Sequence, residues 1–140
     1  MADGERVRVL IADDHQELLD RVATILAREF TVVGTVTDGA QLVAAQATLN
    51  PDVMIVDLCM PRMNGLEAAT CIRRAGSRAP IVILTAYCEP EGVEAAVAAG
   101  ALGYVIKESL CHDLLPAIRA ALAGRLFVSA AVSEPHSHTA

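Results

Sequence analysis

Along this chain two patterns of apolar residues alternate. Short uninterrupted runs, such as Val53-Met54-Ile55-Val56, are separated by longer stretches in which leucine, isoleucine and valine recur every three or four positions. The first pattern is that of strands buried on both faces, and the second is that of helices with one apolar stripe. Residues 6–12 read as a strand, followed by a helix over 16–29 whose stripe is Leu18, Leu19, Val22, Ile25 and Leu26. A second strand spans 31–36. Asp38 then caps a helix running to 48, which ends at the breaker Asn50-Pro51. A strand at 53–56, a loop over 60–65 and a helix to 75 follow, then a strand at 81–84 and an alanine-rich helix at 89–99 with Gly100 as its C-cap. The last unit is a strand at 102–106 and a helix to about residue 123, with Pro116 inside it and a slight kink expected there. Five strand–helix units predict an α/β domain, a parallel sheet with helices on both faces and right-handed crossovers. That domain covers residues 1–125. Residues 126–140 are expected to form a mobile C-terminal tail, of which 129–140, His136 and His138 included, lack any apolar period.

The chain has 140 residues, 54% of them hydrophobic but only 3% aromatic, so the core is built from Ala, Val, Leu and Ile. No apolar run approaches the ~18 residues of a membrane span, and the polar start is unlike a signal peptide, which points to a cytoplasmic protein. A net charge of -6 argues against direct nucleic-acid binding, and the densest basic cluster, Arg73-Arg74 with Arg78, reads as a solvated helix end. The cysteines Cys59, Cys71, Cys88 and Cys111 include no C-x-x-C pair and read as core fillers or idle thiols rather than zinc ligands.

The polar residues that end the apolar runs carry the chemistry. These are Asp13-Asp14, Asp57, Thr85 and Lys107, the last being the only lysine beside ten arginines. Parallel strands place such residues along one sheet edge, where open α/β sheets build their sites. If the strands ending at Asp13-Asp14 and Asp57 are neighbours, three carboxylates converge beside one ammonium. Their repulsion is relieved by a raised pKa or by a hard divalent cation. Charge balance favours the cation, since Mg²⁺ and Lys107 together neutralise three carboxylates. A carboxylate, a magnesium ion, an ammonium and the Thr85 hydroxyl are the equipment of phosphoryl transfer to an aspartate.

Taken in order, Asp13-Asp14, Val56-Asp57-Leu58 with Met60-Pro61 and Gly65, Leu84-Thr85-Ala86, and Gly103-Tyr104 with Lys107 resemble the CheY-like receiver domain of two-component response regulators. Each fragment alone is ordinary: an acid pair can cap a helix, a threonine can pack at a strand end, and a tyrosine is often half-buried. Four of them falling in order at strand ends are not. The resemblance implies a flavodoxin-like, doubly wound sheet of five strands in the order 2-1-3-4-5. It makes Asp57 the phosphoacceptor of a sensor histidine kinase. Asp13, Asp14, Asp57 and the Cys59 backbone carbonyl become the Mg²⁺ ligands, with Lys107 and Thr85 binding the phosphoryl group. Thr85 and Tyr104 become the switch pair, Tyr104 turning inward as Thr85 moves onto the phosphoryl group. The surface that changes is the fourth helix, fifth strand and fifth helix, and a homodimer is expected there or through the first and fifth helices. Cys59 and Tyr87 stand where side chains tune phosphoryl lifetime, a bulky Tyr87 slowing hydrolysis.

Glu108 replaces a frequent proline after the lysine, and Asn64 replaces a frequent aspartate in the loop. His15 is expected to be exposed in the first helical turn. The opening Asp13-Asp14-His15 and the ending near 121–129 resemble receivers of NarL/LuxR-type transcriptional regulators, so the chain reads either as a stand-alone receiver or as part of such a regulator. The alternative reading is a Mg²⁺-dependent phosphohydrolase acting through an aspartyl phosphate. Those enzymes place an acid/base aspartate two residues after the nucleophile, where this chain has Cys59. A nucleotide- or flavin-binding module is disfavoured because neither G-x-G-x-x-G nor G-x-x-x-x-G-K-[ST] occurs.

Overall fold

Six strands, β1 (Val7–Ala12), β2 (Phe30–Val36), β3 (Val53–Asp57), β4 (Ile81–Thr85), β5 (Gly103–Ile106) and β6 (Phe127–Val128), form one parallel sheet in the order β2-β1-β3-β4-β5-β6. Between them run α1 (Gln16–Leu26), α2 (Gly39–Leu49), α3 (Gly65–Arg74), α4 (Pro90–Ala98) and α5 (Leu110–Leu122), with a 3₁₀ turn at Lys107–Ser109. The structure is a computed structural model and describes residues 6–86 and 90–129. Its architecture is the flavodoxin-like doubly wound fold, with the expected strand order extended by one strand.

Period-2 geometry sends neighbouring strand residues to opposite faces. Val9 and Ile11 of β1 join the core beneath α1 and α5, with Val22, Leu26, Leu114 and Ile118. Leu10 and Ala12 face the other core, beneath α2, α3 and α4, with Leu42, Ile72 and Tyr104. Every residue of β3, β4 and β5 is buried, which explains why these strands show no polar alternation. Among the described residues no helix is long and apolar enough to cross a membrane.

Helix ends follow local chemistry. The Asp38 carboxylate accepts from the Gln41 N–H at 2.8 Å, as its capping role requires. Asn64 does more than occupy a loop. Its side chain accepts from the Glu67 N–H (2.9 Å) while Glu67 accepts from the Asn64 N–H (3.0 Å), a complete capping box that starts α3 beside the Asp57 strand end. Asn64→Ala should therefore lower stability by about 1 kcal/mol, checked by urea titration. An unchanged midpoint would assign the cap no weight. Helix α1 stops at Leu26, short of residue 29, because the chain turns through Glu29 (N–H to the Leu26 carbonyl, 3.0 Å) to bury Phe30 in the core. Pro116 does lie within α5, on its exposed face.

One expectation is corrected. Residues 126–129 are not a tail. Phe127 and Val128 pair with Gly103 and Tyr104 of β5, and Ser129 is fully buried. A two-residue strand is too short to show a period, and a buried serine after it reads as polar surface. The remainder of the expected tail lies outside the described residues.

Candidate functional site

Four strands deliver one polar group each to the carboxyl edge of the sheet. β1 pairs with β3 so that Ala12 stands opposite Val56, and the next residues, Asp13 and Asp57, fall side by side. β3 pairs with β4 and β4 with β5, so Thr85 and Lys107 follow in line. The site straddles β1 and β3, where the strand order reverses, the place at which such sheets bind ligands. Gly65 lets α3 start against this edge. A Cβ there would come within 2.5 Å of the Asp57 carbonyl oxygen, and its N–H bonds the Leu58 carbonyl at 2.9 Å.

Lys107 Nζ lies 3.0 Å from Asp57 Oδ1 and 3.4 Å from Asp13 Oδ2. Asp13 and Asp57 are buried (0% and 2% exposed), whereas Asp14 is exposed at the rim. The Cys59 N–H also reaches Asp57 Oδ1, at 3.4 Å, although the residue itself is exposed. Thr85 is buried at the end of β4, and Tyr104 is buried on β5. Both switch candidates therefore line the interior. Tyr87 lies outside the described residues.

Electrostatics mark this cluster as unfinished. Burial pushes the Asp57 carboxyl above its ordinary value and the Asp13 charge adds to the rise, against the opposing pull of Lys107. Burial alone would lower the Lys107 ammonium, but the contact with Asp57 and the charges of Asp57 and Asp13 outweigh it and hold it above its ordinary value. Asp57 Oδ2 and Asp13 Oδ2 are buried and accept no hydrogen bond, the latter having only its ion pair to Lys107. Buried carboxylate oxygens left in this condition are costly unless something else binds them. Ligand atoms of Asp13, Asp14, His15 and Asp57 lie within 4.8 Å of one another. A predominantly carboxylate donor set with unpaired lone pairs fits a hard divalent cation.

His15, which its adjacency to the acid pair singles out in the sequence, borders the site. It is exposed as expected. Yet its Nδ1 lies 3.2 Å from both Asp13 Oδ1 and Asp14 Oδ1, and its N–H bonds Asp13 Oδ1 at 2.8 Å.

The family model for the response regulator receiver domain matches residues 9–119. The chain belongs to that family. The receiver shares 35% identity over 135 residues with the nitrate/nitrite response regulator protein NarL of Escherichia coli (strain K12), covering 95% of this chain and 62% of NarL. It thus spans less than two thirds of that relative. Among solved structures, a LuxR-family two-component response regulator from Aurantimonas sp. SI85-9A1 superposes with a TM-score of 0.89 at 29% identity, covering 96% of this chain and 98% of that one. The signal receiver domain of the putative response regulator NarL from Mycobacterium tuberculosis gives 0.82 at 31% identity, covering 86% and 99%. The relatives are NarL/LuxR-type response regulators, and the phosphohydrolase alternative finds no support among them.

Proposed function

We propose that Asp57 is the phosphoacceptor of a signalling switch. The observation that carries this reading is the buried Asp57 carboxylate, paired to Lys107 through one oxygen and left without a hydrogen bond on the other. An Asp57 oxygen bonds to phosphorus as the P–N bond of a phosphohistidine donor breaks, its electron pair leaving with the imidazole nitrogen. An acyl phosphate results. Lys107 takes one phosphoryl oxygen as a compact ammonium, and Thr85 donates to another. Asp13, Asp14, Asp57 and the Cys59 carbonyl would hold magnesium, which when bound offsets the carboxylate charge and orients the phosphoryl oxygens. Thr85 and Tyr104 form the switch pair, and Cys59 and Tyr87 govern water access to the acyl phosphate.

The donor is a sensor histidine kinase in the cytoplasm. Control of transcription is the output favoured by the NarL/LuxR-type relatives, as a property of the whole regulator. Of the two homodimer faces considered, the one through α1 and α5 is favoured, because β6 covers the β5 edge.

Acetyl phosphate with Mg²⁺ tests the reading by intact mass. One phosphoryl group should be added, and chelation by EDTA should abolish the addition. Labelling that survives EDTA would refute the metal requirement, and the absence of any adduct would refute the acceptor.

A further inference from the structure

We propose that β6 is a wedge that holds the Tyr104 ring inward, so that the segment leaving α5 and the phosphoryl site bias the same two-state element. The proposal rests on reading Tyr104 as the switch residue. In the structure Tyr104 is only 2% exposed and belongs to the core beneath α2, α3 and α4. On its α4 side the ring reaches Gly92, where any Cβ would overlap the tyrosine hydroxyl, so that wall fits the inward ring closely. On the β4 side its register partner is Ile83, fully buried. The third wall lies at the sheet edge. There Val128 of β6 is the register partner of Tyr104, packed against the same core.

This outer wall is well anchored. The Phe127 N–H bonds the Leu102 carbonyl, and the Ser129 N–H bonds the carbonyl of Tyr104 itself, both at 2.9 Å. Ser129 Oγ donates to Asp113 Oδ2 on α5 (2.7 Å) and accepts from the Ile106 N–H (3.0 Å). Asp113 Oδ1 meets His112 Nδ1 at 2.9 Å. Ser129 is fully buried and Asp113 nearly so, so undocking β6 would strip a buried carboxylate and a strand N–H of their partner. The strand is a specific dock, and the Ser129 hydroxyl that follows it holds Ile106, the residue before the phosphoryl-binding lysine. Coupling of this kind is reciprocal. A docked β6 favours inward Tyr104 and hence the phosphorylated state, while phosphorylation tightens β6.

The full chain labelled with 3-fluorotyrosine tests this. The Tyr104 signal is assigned with Tyr104→Phe, and its exposure is read from the H₂O/D₂O solvent shift. Without phosphoryl donor, Val128→Gly removes the wedge side chain and leaves the backbone bonds. It should raise the exposed Tyr104 population at least fivefold, and acetyl phosphate with Mg²⁺ should reverse the change. Ser129→Pro, which removes the N–H and both hydroxyl bonds, should do the same and speed exchange of the Ile106 amide at least tenfold. Thermal melts establish that each variant folds, and Val128→Gly decides if Ser129→Pro does not. A Tyr104 signal as buried in Val128→Gly as in the parent overturns the wedge. The first arm needs no phosphoryl group, so missing adducts by mass would defeat the phosphoacceptor reading and leave the wedge result standing.

Discussion

Asp57→Asn should take up no phosphoryl group from acetyl phosphate and yet melt at a higher temperature than the parent in metal-free buffer at pH 7. The first outcome follows because an amide is no nucleophile toward phosphorus and the remaining carboxylates, Asp13 and Asp14, serve the metal in the proposed site. The second follows from the cost of keeping Asp57 ionised. Its carboxyl is held above its ordinary value by burial first and by Asp13 second. Asparagine has nearly the same shape, can still accept from the Cys59 N–H, and leaves Lys107 to its 3.4 Å pair with Asp13. It removes one of two adjacent buried negative charges. The gain should be on the order of 1 kcal/mol, a Tm rise of roughly 3–5 °C for a domain of this size. Its pH dependence has a definite sign. An acid whose folded pKa is raised leaves the parent unpenalised below the unfolded value of 3.8 and fully penalised above the folded value. The advantage of the variant should therefore be absent at the acid end and should grow as pH climbs through the raised pKa. Millimolar Mg²⁺ should narrow it, because the parent binds the ion better. Calorimetry between pH 4 and 8 reads both trends, and an Asp57→Asn protein that melts below the parent at pH 7 would remove the electrostatic account of the site.

The residues that end strands were legible because their contrast with the preceding apolar run is local. Val53 to Val56 has no polar interruption, so Asp57 stands out, and the same holds for Thr85 and Lys107. Strand order was not local information. It came with the family resemblance, and the register of β1 on β3 then accounts for Asp13 lying beside Asp57. What escaped reading depends on partners distant in sequence or on contacts too short to leave a pattern. β6 is two residues long, and the hydrogen bonds of Phe127 and of Ser129 just after it reach residues 102, 104, 106 and 113. Gly92 looks like a weak helix former until the Tyr104 hydroxyl is placed against it. Asn64 reads as loop until Glu67 is seen closing the box from the other side. Apolar periodicity extends the α1 prediction past Leu26 because it carries no information about where the core requires Phe30. These misses share one cause: tertiary contacts override local preference at element ends.

Lys107→Met should be the most damaging single change at this edge, and the damage should divide into two separable parts. The ammonium is the only cation within 4 Å of Asp57 among the described residues, and it also pairs Asp13. Methionine fills similar space but leaves two buried carboxylates uncompensated. Removing one partner of a buried pair costs 3–5 kcal/mol, and a lysine side chain 22% exposed at an open edge brings the expectation down to roughly 2–3 kcal/mol at pH 7. Because the cost is that of ionised carboxylates, it should fade as pH falls and be partly offset by Mg²⁺. Phosphoryl uptake should fall about a hundredfold, the usual loss when one preorganised donor to a developing charge is removed. Lys107→Arg separates the two parts. A guanidinium keeps the charge, so most of the stability should return. Its planar fork is wider than an ammonium and presents two donors where the narrow edge between Asp13 and Asp57 admits one. Stability near that of the parent combined with impaired phosphorylation-dependent change at Tyr104 is the expected result. If Lys107→Arg switched like the parent, positive charge alone would suffice at this position. The presence of a lone lysine among ten arginines would then be a matter of composition rather than of chemistry.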